Sequence, residues 1–402
     1  SNFVKLFGLL RQPDTAESAD KALQDASFHI ESIPPLFDII NSYQDKIILQ
    51  YAFSTISMCL RNQRISDKNF IISCRTKVLS FLENHKNSDL VLLSLVVIKS
   101  LVTMISDFWI QLGNWAFNVQ SNLIKLVIFN ILFQTIPKEL IQENLTVFCY
   151  YVDCGLKSGD INEICEASSF LLKISPLLSE EDTKIIENIK ELFYDIFINI
   201  IKRNDNNSLS KLLNDAIECT KINLFPSSDL LPYVINAIES DELDRQFRIN
   251  MTTYLVMSII FNRNLENLID SNKIINVSEK IFLLFFHGDL IDESLYWIDD
   301  ITVLLRVGFV KMNIDELSLS LLNLVEHYSI LTSPKSEFLF LLIESSLLYF
   351  SSSFDIVKKF YDFFLNALQS KEKVIQMIAG ECFLKSINYF KNFINCNPIE
   401  II

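Results

Sequence analysis

Glycine and proline are scarce in this chain. Among its 402 residues there are only 7 glycines and 9 prolines, well below the usual share of either residue in soluble proteins. Folds built on many tight turns, such as β-sandwiches, and glycine-rich nucleotide-binding α/β folds are therefore disfavoured. The sequence also lacks the period-two alternation of strands and any Asn-Gly or Asp-Gly hairpin signal.

The residues and motifs of catalysis are equally sparse. Gly-x-Ser-x-Gly, the P-loop pattern and GxGxxG are all absent. The chain has only 4 histidines, which lie far apart near predicted helix ends, at His29, His85, His287 and His327. An α-helical enzyme would need a polar cavity that the sequence does not indicate. We therefore expect a binding protein without catalytic activity and without a cofactor.

Metal-ligand and membrane patterns are missing as well. None of the 8 cysteines forms a CxxC pair or stands at zinc-ligand spacing from a histidine, which predicts buried, reduced thiols. The longest apolar runs, Leu90–Val102 and Ile124–Phe133, are too short to span a bilayer and are interrupted by Lys99 and Asn130. We therefore expect a soluble protein with no membrane insertion.

Acidic residues outnumber basic ones. There are 49 Asp and Glu against 35 Lys and Arg, a formal net charge of −14. Nucleic-acid binding is disfavoured because it needs clustered cations to neutralise phosphates. The acidic balance favours a basic protein partner. Maintaining the solubility of a chain that is 50% apolar is the alternative explanation.

What the sequence does contain is apolar residues at helical spacing. Lys46–Gln63 is the clearest example, and its neighbour Ser66–Glu83 repeats the pattern after a short polar connection. Facing apolar stripes joined in this way predict an antiparallel helical hairpin. The stripe of the first helix consists of Ile47, Ile48, Tyr51, Ala52, Thr55, Ile56, Cys59 and Leu60.

The same pattern continues along the chain. Breaks fall about every 20 residues and helix pairs about every 40, the period of HEAT and armadillo repeats. The sequence thus predicts an all-α solenoid of about ten helical hairpins. Within it we expect turns at Gly113-Asn114 and Gly155–Asp160, and one helix over Lys371–Tyr389 with Ala379-Gly380 at a close helix contact.

Tryptophans mark two candidate binding spots. Trp109 and Trp115 flank Gly113, and Trp297 lies beside Asp299 and Asp300. A tryptophan next to carboxylates can hold the stem of a partner's lysine while the carboxylates take its charge. Core packing is the alternative for each of the three tryptophans.

Two stretches resemble the importin-β (karyopherin) superfamily. The helix Lys46–Gln63 ends in Leu60-Arg61-Asn62 after the small Ser57, which is similar to the second helical hairpin of importin-β-like proteins. Ile98–Trp115 followed by Leu123–Leu140, with Ile136-Pro137-Lys138-Glu139, resembles the exportin-1-like region of the transportin-3 and importin-13 branch. The resemblance covers residues 1–150; residues 151–402 match in period only and are expected to continue the same superhelix.

The resemblance implies a monomeric nucleocytoplasmic transport receptor, or a part of one, that moves between cytoplasm and nucleus. Its expected partners are a Ran-like GTPase in the GTP form, a basic cargo protein and Phe-Gly nucleoporins. The polar end of the early helix would then contact a partner through Arg61, Asn62, Gln63 and Arg64. A generic HEAT-repeat scaffold or regulatory subunit is the second hypothesis.

Overall fold

The fold is all-α throughout the part of the chain that the structure, a computed structural model, describes. That part comprises residues 2–63, 65, 67–86, 89–105, 107–177, 183–222, 224, 227–261 and 353–396 and a few single residues between 273 and 344; only the backbone is described for 183–186, 227 and 392–396. Its regular structure is exclusively helical. The chain divides into two compact units, Ser1–Phe193 and Tyr194–Ile402.

Helices of 6 to 20 residues make up the described parts of both units. The first unit contains α1 (Asn2–Leu9), α2 (Pro13–Ala26), α3 (Ile33–Ser42), α4 (Lys46–Asn62), α5 (Lys68–His85), α6 (Leu90–Met104), α7 (Ile110–Asn118), α8 (Asn122–Leu132), α9 (Lys138–Glu143), α10 (Leu145–Lys157) and α11 (Ile161–Ile174). Helix α12 (Thr183–Lys202) includes the boundary, and the second unit continues with α13 (Asn206–Lys221), α14 (Ser227–Glu239), α15 (Arg245–Phe261), α16 (Phe354–Leu368), α17 (Lys373–Lys385) and α18 (Ile387–Cys396).

The helices of the first unit form successive hairpins. Each of the pairs α3/α4, α5/α6, α7/α8 and α10/α11 packs along its length, and the second helices α4, α6, α8 and α11 lie side by side in that order. Successive first helices contact each other much less. The second helices therefore form the more tightly packed side of this unit, and α4 is buried against both α3 and α6.

Side-chain hydrogen bonds between neighbouring hairpins show the repeat length directly. In the first unit Ser57 bonds Ser100, 43 residues away, and Asn122 bonds Glu163, 41 residues away. In the second unit Thr220 and Tyr254, 34 residues apart, share a buried hydrogen bond of 2.8 Å. The separations of 43 and 41 residues in the first unit confirm the predicted period of about 40 residues, and the separation of 34 residues in the second unit is shorter.

Aspartates begin several of these helices. The Asp67 carboxylate accepts hydrogen bonds from the backbone N–H groups of Asn69 and Phe70 and so caps α5. Asp45 and Asp160 cap α4 and α11 in the same way. Asp89 occupies the N-cap position of α6 but makes no side-chain capping bond.

Asp205 caps α13 and provides a test of capping and of pH dependence. Its carboxylate accepts from the Ser208 hydroxyl at 2.6 Å and from the Ser208 backbone N–H at 3.1 Å, and these bonds lower the pKa of Asp205. Because the pKa of Asp205 is lower in the folded than in the unfolded protein, its carboxylate stabilises the fold fully at pH values above the unfolded-state pKa. This contribution is lost as the pH falls through the folded-state pKa. We expect Asp205→Ala to cost about 1 kcal/mol at neutral pH.

Thermal unfolding at pH 7 and at pH 3 checks this expectation. Asp205→Asn is the control, because the amide oxygen still accepts the capping bonds but does not titrate. The stability difference between wild type and Asp205→Asn should shrink on acidification. Equal pH dependence of the two proteins would contradict the assignment.

Three local predictions were wrong. Gly113-Asn114 lies inside α7, where the ring of Phe108 packs next to the glycine. Gly155 is part of α10, which continues to Lys157. The single helix expected over Lys371–Tyr389 is two helices, α17 and α18, separated at Ser386. The helical pattern of the sequence also predicts helices starting at Glu266, Asp289, Ile314 and Ser336, and these lie wholly or largely outside the described residues.

Large aromatic side chains fill the cores. In the first unit Phe129 contacts the rings of Phe148 and Phe170 at centroid distances of 5.0 and 6.2 Å. In the second unit Phe364 and Phe390 pack 5.8 Å apart between α16 and α18. Across the part of the chain that is described, no helix combines the length and the apolar character needed to cross a bilayer.

Candidate protein-binding surface

The second helices of the first unit carry an open groove. It has a volume of about 710 Å³ and runs across α6, α8 and α11; we call it the second-helix groove. Its floor is aliphatic because α6 and α8 carry apolar residues on the side that lines the groove as well as on the side that packs in the core. The floor side chains are Leu95, Val96, Val102, Val127 and Ile131. Val96 is 45% exposed, so the floor is accessible.

A hydrogen-bond network organises the polar rim of the groove. The Asn130 side-chain amide donates to the Glu166 carboxylate at 2.8 Å and to the Glu166 carbonyl at 2.9 Å. The Lys173 ammonium donates to the Asn130 amide oxygen at 2.9 Å and to its carbonyl at 3.0 Å. Asn130 of α8 therefore holds a carboxylate and an ammonium of α11 in fixed positions beside the floor.

Lys99 supplies the other cation of the groove. It projects from α6 among the lining residues and is exposed. It forms no hydrogen bond or ion pair with any residue that the structure describes. With Lys99, Lys173 and Glu166, the charged side chains that line the groove carry a net charge of +1, in a chain whose formal net charge is −14.

The polar end of α4 lies at the surface. Arg61 is exposed, and its Nε donates to the Ser57 carbonyl at 3.3 Å. Asn62 donates to the Ser27 hydroxyl at 2.7 Å and so ties the end of α4 to the segment after α2. Gln63 is the half-buried C-cap, whose N–H donates to the Cys59 carbonyl. Arg64 lies outside the described residues.

Trp109 and Trp115 are core residues in the structure. Their exposed fractions are 2% and 6%. Trp109 is the N-cap residue of α7, and the guanidinium of Arg75 lies 5.0 Å from the centroid of its ring. Burial lowers the pKa of Arg75, and the charge of Asp107 acts in the opposite direction. Core packing, the alternative explanation for each tryptophan, is thus what the structure shows for these two rings.

The remaining predicted site residues, Trp297, Asp299 and Asp300, lie outside the described residues, as do His287 and His327. Among the described residues, no group of three or more His, Cys, Asp or Glu side chains could hold a metal ion. Burial raises the pKa of Cys59 and Cys74 to about 11. At neutral pH these two side chains are therefore protonated, weakly nucleophilic thiols.

Sequence reasoning did not find the second-helix groove, although two of its residues were visible. Lys99 and Asn130 interrupt the two longest apolar runs of the chain, and both line the groove. A lone polar residue in an otherwise apolar helix indicates a position that meets solvent or a polar partner. Which other helix would meet it could not be read from the local pattern.

The fold matches solved structures of one helical-repeat protein over almost the whole chain. Crystal structures of the karyopherin Kap121p bound to the SUMO protease Ulp1p and of Kap121p bound to Ste12p each align with a TM-score of 0.54 at 12% identity, over 98% and 99% of this chain. Kap121p bound to RanGTP aligns with a TM-score of 0.52 at 13% identity, over 98% of this chain. In all three cases the chain spans 41% of the length of Kap121p.

No protein-family model and no curated protein sequence matches the chain. The structural likeness therefore defines the class: this is an all-α solenoid with the helical-repeat fold seen in karyopherins. At 12–13% identity the likeness concerns the fold alone.

Proposed function

We propose that this protein is a transport-receptor-like adaptor that binds other proteins through its helical-repeat surfaces and has no catalytic activity. The observation that carries the proposal is the alignment of 98% of the chain with the karyopherin Kap121p. The row of second helices with an open groove supports it, because such rows give helical-repeat proteins extended binding surfaces. Movement between cytoplasm and nucleus, as a monomer, is part of the proposal.

The proposed partners are a Ran-like GTPase in its GTP form, a basic cargo protein and Phe-Gly nucleoporins. The matched Kap121p structures contain RanGTP, Nup53p and the SUMO protease Ulp1p as partners of that protein. A net charge of −14 favours basic surfaces on at least one partner of this chain. We further propose that Arg61, Asn62, Gln63 and Arg64 contact an acidic patch on a partner, and that Trp297, Asp299 and Asp300 hold a lysine.

Retention of Ran by the immobilised protein tests the proposal. We expect Ran loaded with a non-hydrolysable GTP analogue to be retained at least tenfold more than Ran loaded with GDP. Arg61→Glu combined with Arg64→Glu should reduce this retention about tenfold, the loss expected when an interfacial charge pair becomes repulsive. Lys138→Glu is the control, because Lys138 is exposed at the start of α9 and undergoes the same change of charge.

The scaffold hypothesis gives different results in the same experiments. A scaffold or regulatory subunit would retain neither nucleotide form of Ran, or both equally, and affinity purification from its source cells would recover one stable partner whatever the nucleotide. Unchanged retention by the Arg61 and Arg64 variant would remove the polar end of α4 from the proposed interface.

A further inference from the structure

We propose that the second-helix groove binds an extended segment of a partner protein that presents aliphatic side chains next to carboxylates. The proposal concerns a site other than the end of α4 and the residues around Trp297 that are proposed above to contact partners. It does not depend on Ran binding, since a scaffold could use the groove equally well. Its ligand is acidic, whereas the net charge of the whole chain favours basic partners.

The shape and lining of the groove define the apolar part of the ligand. A volume of about 710 Å³ accommodates several side chains. Val96 and the half-buried Val127 and Ile131 offer aliphatic surface from two neighbouring helices. Burial of leucine or isoleucine side chains of a partner on this floor would remove apolar surface of both molecules from water. An exposed aliphatic floor with a polar rim is typical of peptide-binding grooves.

The charges at the rim define the polar part. Lys99 is an exposed lining residue and has no partner among the described residues, so its ammonium can donate to a carboxylate of the ligand without breaking an existing bond. The Lys173 ammonium is already fixed by Asn130, and Asn130 also holds Glu166. The groove therefore presents preorganised polar groups beside one uncommitted cation. Charge complementarity then favours aspartate or glutamate in the bound segment.

The groove also excludes other ligand classes. A basic segment would face Lys99 and Lys173 and would have only Glu166 as an opposite charge among the lining residues. Like charges at an interface oppose association, which discriminates against such a segment. A purely apolar segment would use the floor but leave the Lys99 ammonium without a counter-charge. The combination of aliphatic and acidic side chains is the one that satisfies both parts of the groove.

Fluorescence anisotropy with labelled decapeptides tests the proposal on the full chain. The probe contains leucine and glutamate residues separated by glycine and serine. Three matched probes each carry one type of replacement. In the first, lysine replaces glutamate; in the second, glutamine replaces glutamate; in the third, serine replaces leucine. We expect the acidic leucine probe to bind at least tenfold more tightly than each matched probe. Equal binding of the lysine probe, or no binding of the acidic probe, would overturn the proposal.

Variants locate the binding in the groove. Lys99→Glu should lower the affinity for the acidic leucine probe at least tenfold, and Lys99→Met should lower it by less. Lys99→Met should also reduce the preference for the glutamate probe over the glutamine probe. Lys138→Glu should leave both unchanged. Because Lys99 is exposed, circular dichroism should show unaltered helicity in its variants. If Lys99→Glu binds the acidic probe as wild type does, the groove is not the site, whatever the outcome of the Ran experiment.

Discussion

Replacing Gly155 with alanine is expected to destabilise the first unit by about 1–3 kcal/mol, although alanine is the better helix former by about 1 kcal/mol. A Cβ atom at this position would lie 2.8 Å from the Ala167 Cβ and 2.8 Å from the Leu126 Cδ1. Both neighbours are fully buried, so neither can move aside cheaply. Gly155 thus allows α10 to approach α8 and α11 closely, and Gly155→Val should cost more than Gly155→Ala.

Two other helical glycines are matched controls. A Cβ at Gly8 meets nothing within 4 Å, and one at Gly380 meets only the Leu368 Cδ2 at an ordinary 3.6 Å. Gly8→Ala and Gly380→Ala should therefore be neutral or stabilise by up to about 1 kcal/mol, as expected from helix propensity alone. The three substitutions are chemically identical, so opposite signs can only reflect the surroundings of each residue.

Urea unfolding followed by tryptophan fluorescence measures the effects of Gly155→Ala and Gly8→Ala in the first unit, and circular dichroism measures that of Gly380→Ala, which lies in the second unit. Trp109 and Trp115 belong to that unit, and Trp297 is the third tryptophan of the chain. In a Trp297→Phe background the emission therefore reports on Ser1–Phe193 alone. A transition midpoint for Gly155→Ala at or above that of wild type would show that the helices separate readily at this point, contrary to the packing described.

The glycines also show how far the sequence predicts this fold. Periodicity predicted the helices and the repeat length, because these depend on residues close together in the chain. It interpreted Gly155 as part of a loop and expected the close contact at Gly380 instead. Glycine is compatible with both roles, and the neighbours that decide, Leu126 and Ala167, are 29 and 12 residues away.

The binding surface was predictable to a smaller extent for the same reason. The position of Arg61 at the end of a helix follows from the local pattern, since a helix terminus is a local feature; Arg61 is exposed there, and its contact with a partner stays a prediction. Trp109 was not recognised as the partner of Arg75, which lies two helices earlier. The groove needs α6, α8 and α11 side by side, and its Asn130–Lys173 bond joins residues 43 positions apart. No local sequence pattern predicts a contact between residues so far apart in the chain.

Arg75 is a buried charge whose removal should have a large effect. It is 9% exposed, and its Nη2 donates to the carbonyls of Leu101 and Ile105 at 3.2 and 3.5 Å. These carbonyls lie at the C-terminal end of α6, where a helix has no partners of its own for its last C=O groups and where the helix dipole favours a cation. The guanidinium also packs against the Trp109 ring and so links α5, the end of α6 and the start of α7.

We expect Arg75→Ala to destabilise the first unit by about 2–4 kcal/mol, because it leaves two carbonyls unsatisfied, removes the cation–π contact and vacates buried volume. Arg75→Met keeps most of the apolar stem and should recover only the packing part of that loss. Trp109→Leu, which removes the aromatic ring, and the double variant Arg75→Met/Trp109→Leu complete a double-mutant cycle, measured by urea unfolding followed by circular dichroism. A coupling of about 0.5–2 kcal/mol would show that the guanidinium and the ring stabilise the junction together.

Additive effects would assign the role of Arg75 to the α6 carbonyls alone. An Arg75→Met variant as stable as wild type would contradict both contributions. In that case the hydrogen bonds and the ring contact of Arg75 would only offset the cost of burying its charge and would contribute no net stability.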